Sequence, residues 1–277
     1  YRATRADKGT EFFRSRDNWF RPVNFVNAPD GTLYVLDMYR ETVEHPYSIP
    51  EEIKKFLYLT SGSDRGRIYR LVSPGMKRRQ PTNLGKLTNA QLVPQLGSSN
   101  GWNRVTAQRL LWERQDKSVV PALVAFLNST SEPLGRLHAL YTLAGLKALA
   151  PEYVIRGLQD EHPRVRAHAI GLGESLLKPK VTGDLLDALV ALADDESPHV
   201  RFQLAFTLGE TRDPRGIEGL ARLARDARNG GEIQTAILSS VGETADRLAA
   251  LLLADEKFLA QKHAGPVLTQ LMLVVGA

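Results

Sequence analysis

The sequence predicts a mainly α chain, a superhelical stack of helix pairs (an α-α solenoid), preceded by a small all-β region. Three observations carry this. From about Leu87 the apolar residues fall at helical spacing. Within that stretch one motif returns at intervals of 30, 35 and 33 residues. Residues 1–75 show strand and turn chemistry instead.

In the first region, Phe25-Val26 and Thr32–Leu36 flank Asn27-Ala28-Pro29-Asp30-Gly31. β-Branched and aromatic residues around Pro and Asp-Gly read as a β-hairpin. Pro50–Leu57 reads as a short helix opened by Pro and two acids. Arg67–Val72 alternates charged with apolar residues, as a half-buried strand does. Three strands cannot close a sheet, so exposed edges are expected. Residues 76–86 are polar, basic and broken by Pro and Gly, and read as a linker.

Residues 87–277 carry the repeat. Pro163-Arg164-Val165-Arg166 returns as Pro198-His199-Val200-Arg201, in weaker form around Ile233, and earlier as Pro133-Leu134-Gly135-Arg136. A second amphipathic segment follows each copy, at Pro151–Leu158, Asp184–Ala193, Arg215–Ala224 and Ala245–Leu253. Arg104–Glu113 and Val119–Leu127 read as a first, more divergent pair. One helix pair cannot cover its own apolar face, so pairs stack and bury a continuous seam. Pro suits the opening turn of each first helix, and small residues such as Ala169 and Ala205 allow close helix approach.

Composition excludes several classes. The 277 residues include no Cys, which removes disulfides, thiolate zinc, Fe–S clusters and a cysteine nucleophile. No apolar run approaches membrane-helix length, so direct membrane insertion is not expected. Residues 1–80 hold 15 Lys and Arg against 10 Asp and Glu, whereas the remainder is balanced at 21 each. A neutral solenoid has no surplus for a phosphate-tracking stripe, so nucleic acid is not an expected partner and a glycosylase-like reading is weak. Nucleotide-loop, zinc-protease and serine-hydrolase motifs are absent. The chain opens on Tyr1-Arg2-Ala3 without Met or an apolar leader, and is expected to be part of something longer.

The Pro-x-Val-Arg core followed by small apolar residues resembles the HEAT repeat, an armadillo-like solenoid whose arrays bind and space proteins. In residues 1–75, Asp17–Val23, Ala28–Glu41, Glu44-His45-Pro46, Ile49-Pro50 and Asp64–Arg70 resemble the last part of the β-propeller in the large putative membrane-bound dehydrogenases of planctomycete and verrucomicrobia type, which are similar to sorbosone dehydrogenase. Asn100–Leu111 resembles that family's first solenoid helix. The resemblance implies a periplasmic or envelope parent that oxidises a sugar or polyol with pyrroloquinoline quinone and Ca²⁺. It also implies the rest of the propeller and a haem c-bearing cytochrome c domain as partners. The solenoid would be a spacer or dock, with a protein partner on its concave face. This stretch carries no Cys-x-x-Cys-His motif and few blades, so it is expected to be inactive alone. The alternative is a pure interaction module.

Candidate residues follow. Arg21 could hold an anionic cofactor, or stack on Trp19 or pair with Asp17. Asp37, Glu41 and Glu44, with Arg40 and His45, cluster after a strand and suit Ca²⁺ or sugar, or an internal ion-pair network. His45 is a candidate general base or a structural hydrogen-bonder. Arg65 and Arg67 could face an anion or solvent. Arg136, Arg166 and Arg201 recur at one register position and are expected to pair with acids of the neighbouring repeat, among them Asp160, Glu161 and Asp195. His138 and His168 also recur, and packing is the expected role.

Overall fold

A computed structural model describes residues 3–177 and 183–275. The chain forms two compact units. One runs through Thr82 and includes Asn100–Trp102; the other takes Asn83–Ser99 and continues from Asn103.

The first unit is built on an antiparallel sheet of β1 (Pro22–Asn27), β2 (Leu33–Asp37) and β3 (Arg67–Leu71). The expected hairpin forms, with Asn27 opposite Leu33. Its turn is closed by Ala28 N–H to Thr32 O at 2.8 Å and Gly31 N–H to Ala28 O at 3.0 Å. Gly31 sits at φ +86°, a conformation that costs glycine least. β2 is central and contributes the buried Val35 and Asp37. β1 is exposed along its whole length, and β3 shows Ile68 to solvent. Helix α1 is only Glu51–Lys54, shorter than the sequence suggests. Phe13, Phe20 and Tyr69 pack edge to face with centroids 5.2 to 6.0 Å apart.

The second unit begins within the stretch read as a linker. The boundary between the units falls inside it, between Thr82 and Asn83, and Leu84–Lys86 is a 3₁₀ turn with Leu84 buried. Thr88 caps α2 (Asn89–Leu92) with a reciprocal capping box through Gln91. The stack then runs α3 (Gly101–Arg114), α4 (Val120–Ser129), α5 (Pro133–Gly145), α6 (Pro151–Leu158), α7 (Pro163–Gly173), α8 (Gly183–Ala191), α9 (Pro198–Gly209), α10 (Pro214–Arg225), α11 (Gly231–Val241) and α12 (Ala245–Leu253). A turn, α13 (Glu256–Leu259), and α14 (Ala264–Val275) follow. The first two residues of α3 group with the β unit.

Helices α5, α7, α9 and α11 pack in sequence as one layer, and α6, α8, α10 and α12 as the other. Each pair's apolar faces meet between the layers. The seam is continuous from Val154 to Leu271 through Leu158, Ile170, Leu189, Leu204, Leu220 and Leu248. Each fully buried leucine contributes roughly 2 kcal/mol. Small residues set the spacing where helices approach closely. A Cβ on Gly209 of α9 would lie 2.7 Å from the Ser240 carbonyl oxygen of α11.

Candidate functional site

Two groups of residues were marked by the sequence: the recurring arginines of the stack and the ionisable cluster of the β unit.

The arginines form an internal ladder. Arg136 reaches forward with Nε to Asp160 Oδ2 at 2.6 Å and Nη2 to Asp160 Oδ1 at 2.9 Å. Its Nη1 reaches back to the carbonyls of Thr130 and Ser131, at 3.1 and 3.0 Å. Arg166 repeats the pattern, with Asp195 ahead at 2.7 and 2.9 Å and the carbonyls of Asp160 and Glu161 behind at 2.8 and 3.1 Å. Arg201 binds the carbonyls of Asp195 and Glu196 at 2.5 and 3.0 Å, but ahead it meets Asn229 Oδ1 at 2.8 Å. Planar guanidinium suits this fork, because five fixed donors satisfy a carboxylate and two carbonyls together. Both ladder aspartates also fix the turn before the next helix, Asp160 by accepting the His162 N–H and Asp195 by accepting the Ser197 N–H. Burial alone would raise the Asp160 carboxyl, but the Arg136 and His162 hydrogen bonds outweigh it and hold it below the usual carboxylate range.

The ladder has ends that sequence reading missed. Arg104 occupies the same register and donates to Ser98 O at 2.6 Å, but Thr130 stands where the next rungs have Asp. Gln234 replaces the arginine after Arg201 and keeps one backward bond, Nε2 to Asn229 O at 3.3 Å. Alignment on the helix-opening position, Gly101 and Gly231 in place of Pro, would have revealed both.

One stripe of the first-helix layer faces outward. His138 and His168 lie two residues past their ladder arginines. They do not form a pair with each other. His138 Nδ1 contacts Gln108 Oε1 at 2.5 Å, and His168 Nδ1 lies 2.9 Å from Tyr141 Oη. Burial lowers both imidazoles, with Arg104 adding to the shift at His138 and Arg164 at His168. Tyr141 and Phe206, each five past its arginine, are 37% and 38% exposed. At the same register between them stands Gly171. Phe202 packs edge to face on Phe206 at 5.0 Å.

In the β unit, Asp37 is buried and is a structural hub. Its Oδ1 accepts the N–H groups of Arg21 at 2.8 Å and Tyr39 at 2.9 Å, and its Oδ2 faces Arg67 Nε at 3.8 Å. That bond holds Tyr39 at φ +50°, while Tyr39 Oη donates to Asp17 Oδ2 at 2.8 Å. Arg67 lies over the Tyr39 ring, 3.7 Å from its centroid. Glu41 and Glu44 are exposed and do not join Asp37. Among the described residues, no group of three or more His, Asp and Glu side chains is placed to hold a metal ion.

The expected cofactor arginines are each engaged locally. Arg21 donates to the carbonyls of Asn18, Phe20 and Glu41, so it ties its own loop to the one after β2 rather than stacking on Trp19. Arg40 lies against the carbonyls of Met38 and Tyr39, Arg65 beside Asp64, and Arg67 on the carbonyl of Arg65. His45 accepts the Tyr47 N–H through Nδ1 at 3.3 Å and stacks on the Tyr47 ring, which is the geometry of a turn cap. These residues do not fit a quinone triacid with Ca²⁺, which needs converging cations and a carboxylate set.

Comparison with known families fits the division into units. Residues 151–242 match the model described as HEAT repeats, and residues 1–75 match a domain of unknown function, DUF7133. No curated protein matches the chain. The HEAT match covers α6 to the end of α11 and includes the register positions of Arg166, Arg201 and Gln234. HEAT repeats are protein-interaction solenoids. No helix among the described residues is long and apolar enough to cross a membrane.

Proposed function

We propose that this chain is a docking scaffold whose solenoid presents the outward stripe of α5, α7 and α9 to a protein partner. The observation that carries this is a division of labour among side chains. The recurring cations are consumed inside the stack, whereas aromatic groups at the same register are left at the surface. Tyr141, Phe202 and Phe206 are large amphipathic or apolar anchors, with the polar His168 and Gln203 beside them. At the register between the two aromatics stands Gly171, and the Gln203 amide lies 3.6 Å from where its Cβ would sit. The test is quantitative capture on immobilised chain, wild type against Tyr141→Ala/Phe206→Ala. A partner held by wild type and lost by the variant, at equal thermal stability, is expected. Equal capture profiles count against the reading.

A finer reading assigns the β unit to the end of a β-propeller in an envelope dehydrogenase, with a cytochrome c domain as electron acceptor. Its support is the sequence resemblance together with a three-stranded sheet whose outer strands expose Val23, Phe25 and Ile68. Catalysis on this reading is not the work of these residues. Dye reduction by the parent with pyrroloquinoline quinone, Ca²⁺ and a panel of sugars and polyols tests it, and absence of reduction counts against it.

A further inference from the structure

We propose that the β unit carries a binding site for a multiply charged phosphate compound, in the cleft bordered by Arg70, Lys77, Arg78 and Arg79. The cleft has a volume of about 520 Å³ and lies within the first unit, over the β1–β2 turn and the adjoining end of β3.

Two anchors build it. The Arg79 N–H donates to Asp30 O at 3.2 Å, and the Met76 methyl lies against Gly31, 3.6 Å from where a Cβ would sit. These contacts fold residues 76–79 back along the turn. Three consecutive cations thus border one opening, facing Arg70, which is the cross-strand partner of Tyr34.

The charges around the opening do not balance. Its carboxylate, Asp30, is already used. Its Oδ1 accepts both Thr32 N–H at 3.1 Å and Thr32 Oγ1–H at 2.6 Å, and its Oδ2 faces Arg70 Nε at 3.6 Å. Arg70 is further fixed by donation to Tyr34 Oη at 2.7 Å. Lys77, Arg78 and Arg79 form no ion pair with any described carboxylate. Among the solenoid's recurring arginines, Arg136 and Arg166 by contrast have their aspartate.

Four cations around one spent carboxylate focus positive potential into the cleft, and their mutual repulsion is relieved when an anion enters. Guanidinium groups bind phosphate oxygens through paired N–H donors, and Lys adds a mobile point charge. The volume falls within the ~300–1,000 Å³ range of small-ligand sites, larger than one monovalent ion requires. A compound with two or more phosphate groups matches both the charge and the space. The cation row belongs to the segment that sequence alone reads as a connector, which is why it attracts no role there.

Titration calorimetry of the full chain tests this, with inorganic triphosphate as the probe and vesicles of phosphatidic acid or phosphatidylcholine as separate arms. One saturable triphosphate site per chain is expected, weakened at least tenfold in Lys77→Gln/Arg78→Gln/Arg79→Gln and unchanged in Lys54→Gln/Lys55→Gln. Tighter binding to phosphatidic acid vesicles, with the same variant dependence, assigns the site to a lipid phosphate; a preference for triphosphate assigns it to a soluble compound. Absence of saturable binding to either probe, equal binding by the triple variant, or equally tight binding of an oligoglutamate overturns the proposal. If the triple variant does not fold, amide shifts of wild type decide. Triphosphate-induced shifts centred on Lys77–Arg79 and Arg70 support the site, and shifts centred elsewhere overturn it.

Discussion

Arg166 clasps the Asp195 carboxylate with two parallel hydrogen bonds, and the carbonyl of that same Asp195 accepts Arg201 of the next repeat at 2.5 Å. One residue thus holds two successive rungs, one through its side chain and one through its backbone. Asp160 does the same for Arg136 and Arg166. Asp195→Ala removes the carboxylate from a largely buried arginine and the acceptor of the Ser197 N–H together. A loss of about 3 kcal/mol is expected, within the range for breaking buried pairs. Urea denaturation of wild type and variant measures it. The double variant with Asp160→Ala should be close to additive, because the Asp160 side chain holds Arg136 and alanine keeps the backbone carbonyl that Arg166 uses.

Asn229 stands where two other rungs have Asp, and its amide explains the exception. It accepts from Arg201 through Oδ1 while its Nδ2 donates to Leu223 O at 2.8 Å. A carboxylate cannot donate, and it would face that carbonyl as a bare charge. Asn229→Asp is therefore expected to destabilise by about 1–2 kcal/mol although it adds a negative charge beside an arginine. A rise in melting temperature for this variant would refute the account.

The stack was legible because its signals are periodic and local: Pro opens a turn, Val and Ala face inward, and an Arg returns at fixed register. The helix starts at Pro133, Pro163 and Pro198 coincide with the sequence reading, as does the pairing of Arg136 and Arg166 with acids of the next loop. The role of Asn229 was not legible, because it depends on the Leu223 carbonyl that the loop presents to its amide. The β unit was legible in its strands and not in its candidate site. A run such as Asp37–His45 offers many ionisable groups, and only the fold decides that Asp37 turns inward under Arg67 while Glu41 and Glu44 stay in solvent. The basic run 77–79 was read for its composition alone; its placement depends on two backbone-level anchors at Asp30 and Gly31.

The two stripe histidines predict a pH response. Burial holds both imidazoles below the usual value of 6.5, so the folded state favours the neutral form. Between the unfolded and folded values the unfolded chain binds more protons, and stability falls as pH drops below 6.5. Melting temperature should decline from pH 7 to 5, and His138→Gln/His168→Gln should flatten that decline. Imidazole titration midpoints above 6.5 by NMR would contradict it. At lower pH a second loss is expected. The Arg215 side chain holds Asp213 at about 2, and the Asp160 carboxyl is lowered as well. Their stabilisation is present above the normal carboxylate range and fades as pH falls toward 2.

Gly209 marks a close approach between α9 and α11. The added methyl of Gly209→Ala would meet Ser240 backbone and Cβ, each within 3.0 Å, and neither can swing aside as a long side chain can. The helix propensity gain of about 1 kcal/mol for replacing glycine is then outweighed by separation of two packed helices. A net loss of roughly 1–3 kcal/mol is expected from chemical denaturation. Gly183→Ala, where no described atom lies within 4 Å of the new methyl, is the control and should not destabilise.

Asp37 separates a structural from a metal-binding role for the β unit. Its Oδ1 serves two backbone donors, so Asp37→Asn preserves that acceptor and loses only the charge facing Arg67 at 3.8 Å. Asp37→Ala leaves the N–H groups of Arg21 and Tyr39 unsatisfied and removes the bond that holds Tyr39 at positive φ. The alanine variant should lose about 2–3 kcal/mol and the asparagine variant about half of that. If the hub is structural, Ca²⁺ at millimolar concentration or its chelation leaves the melting temperature of all three proteins unchanged, since Glu41 and Glu44 do not converge on Asp37. A Ca²⁺-dependent rise in wild type that vanishes in Asp37→Asn would instead place a cation at this carboxylate.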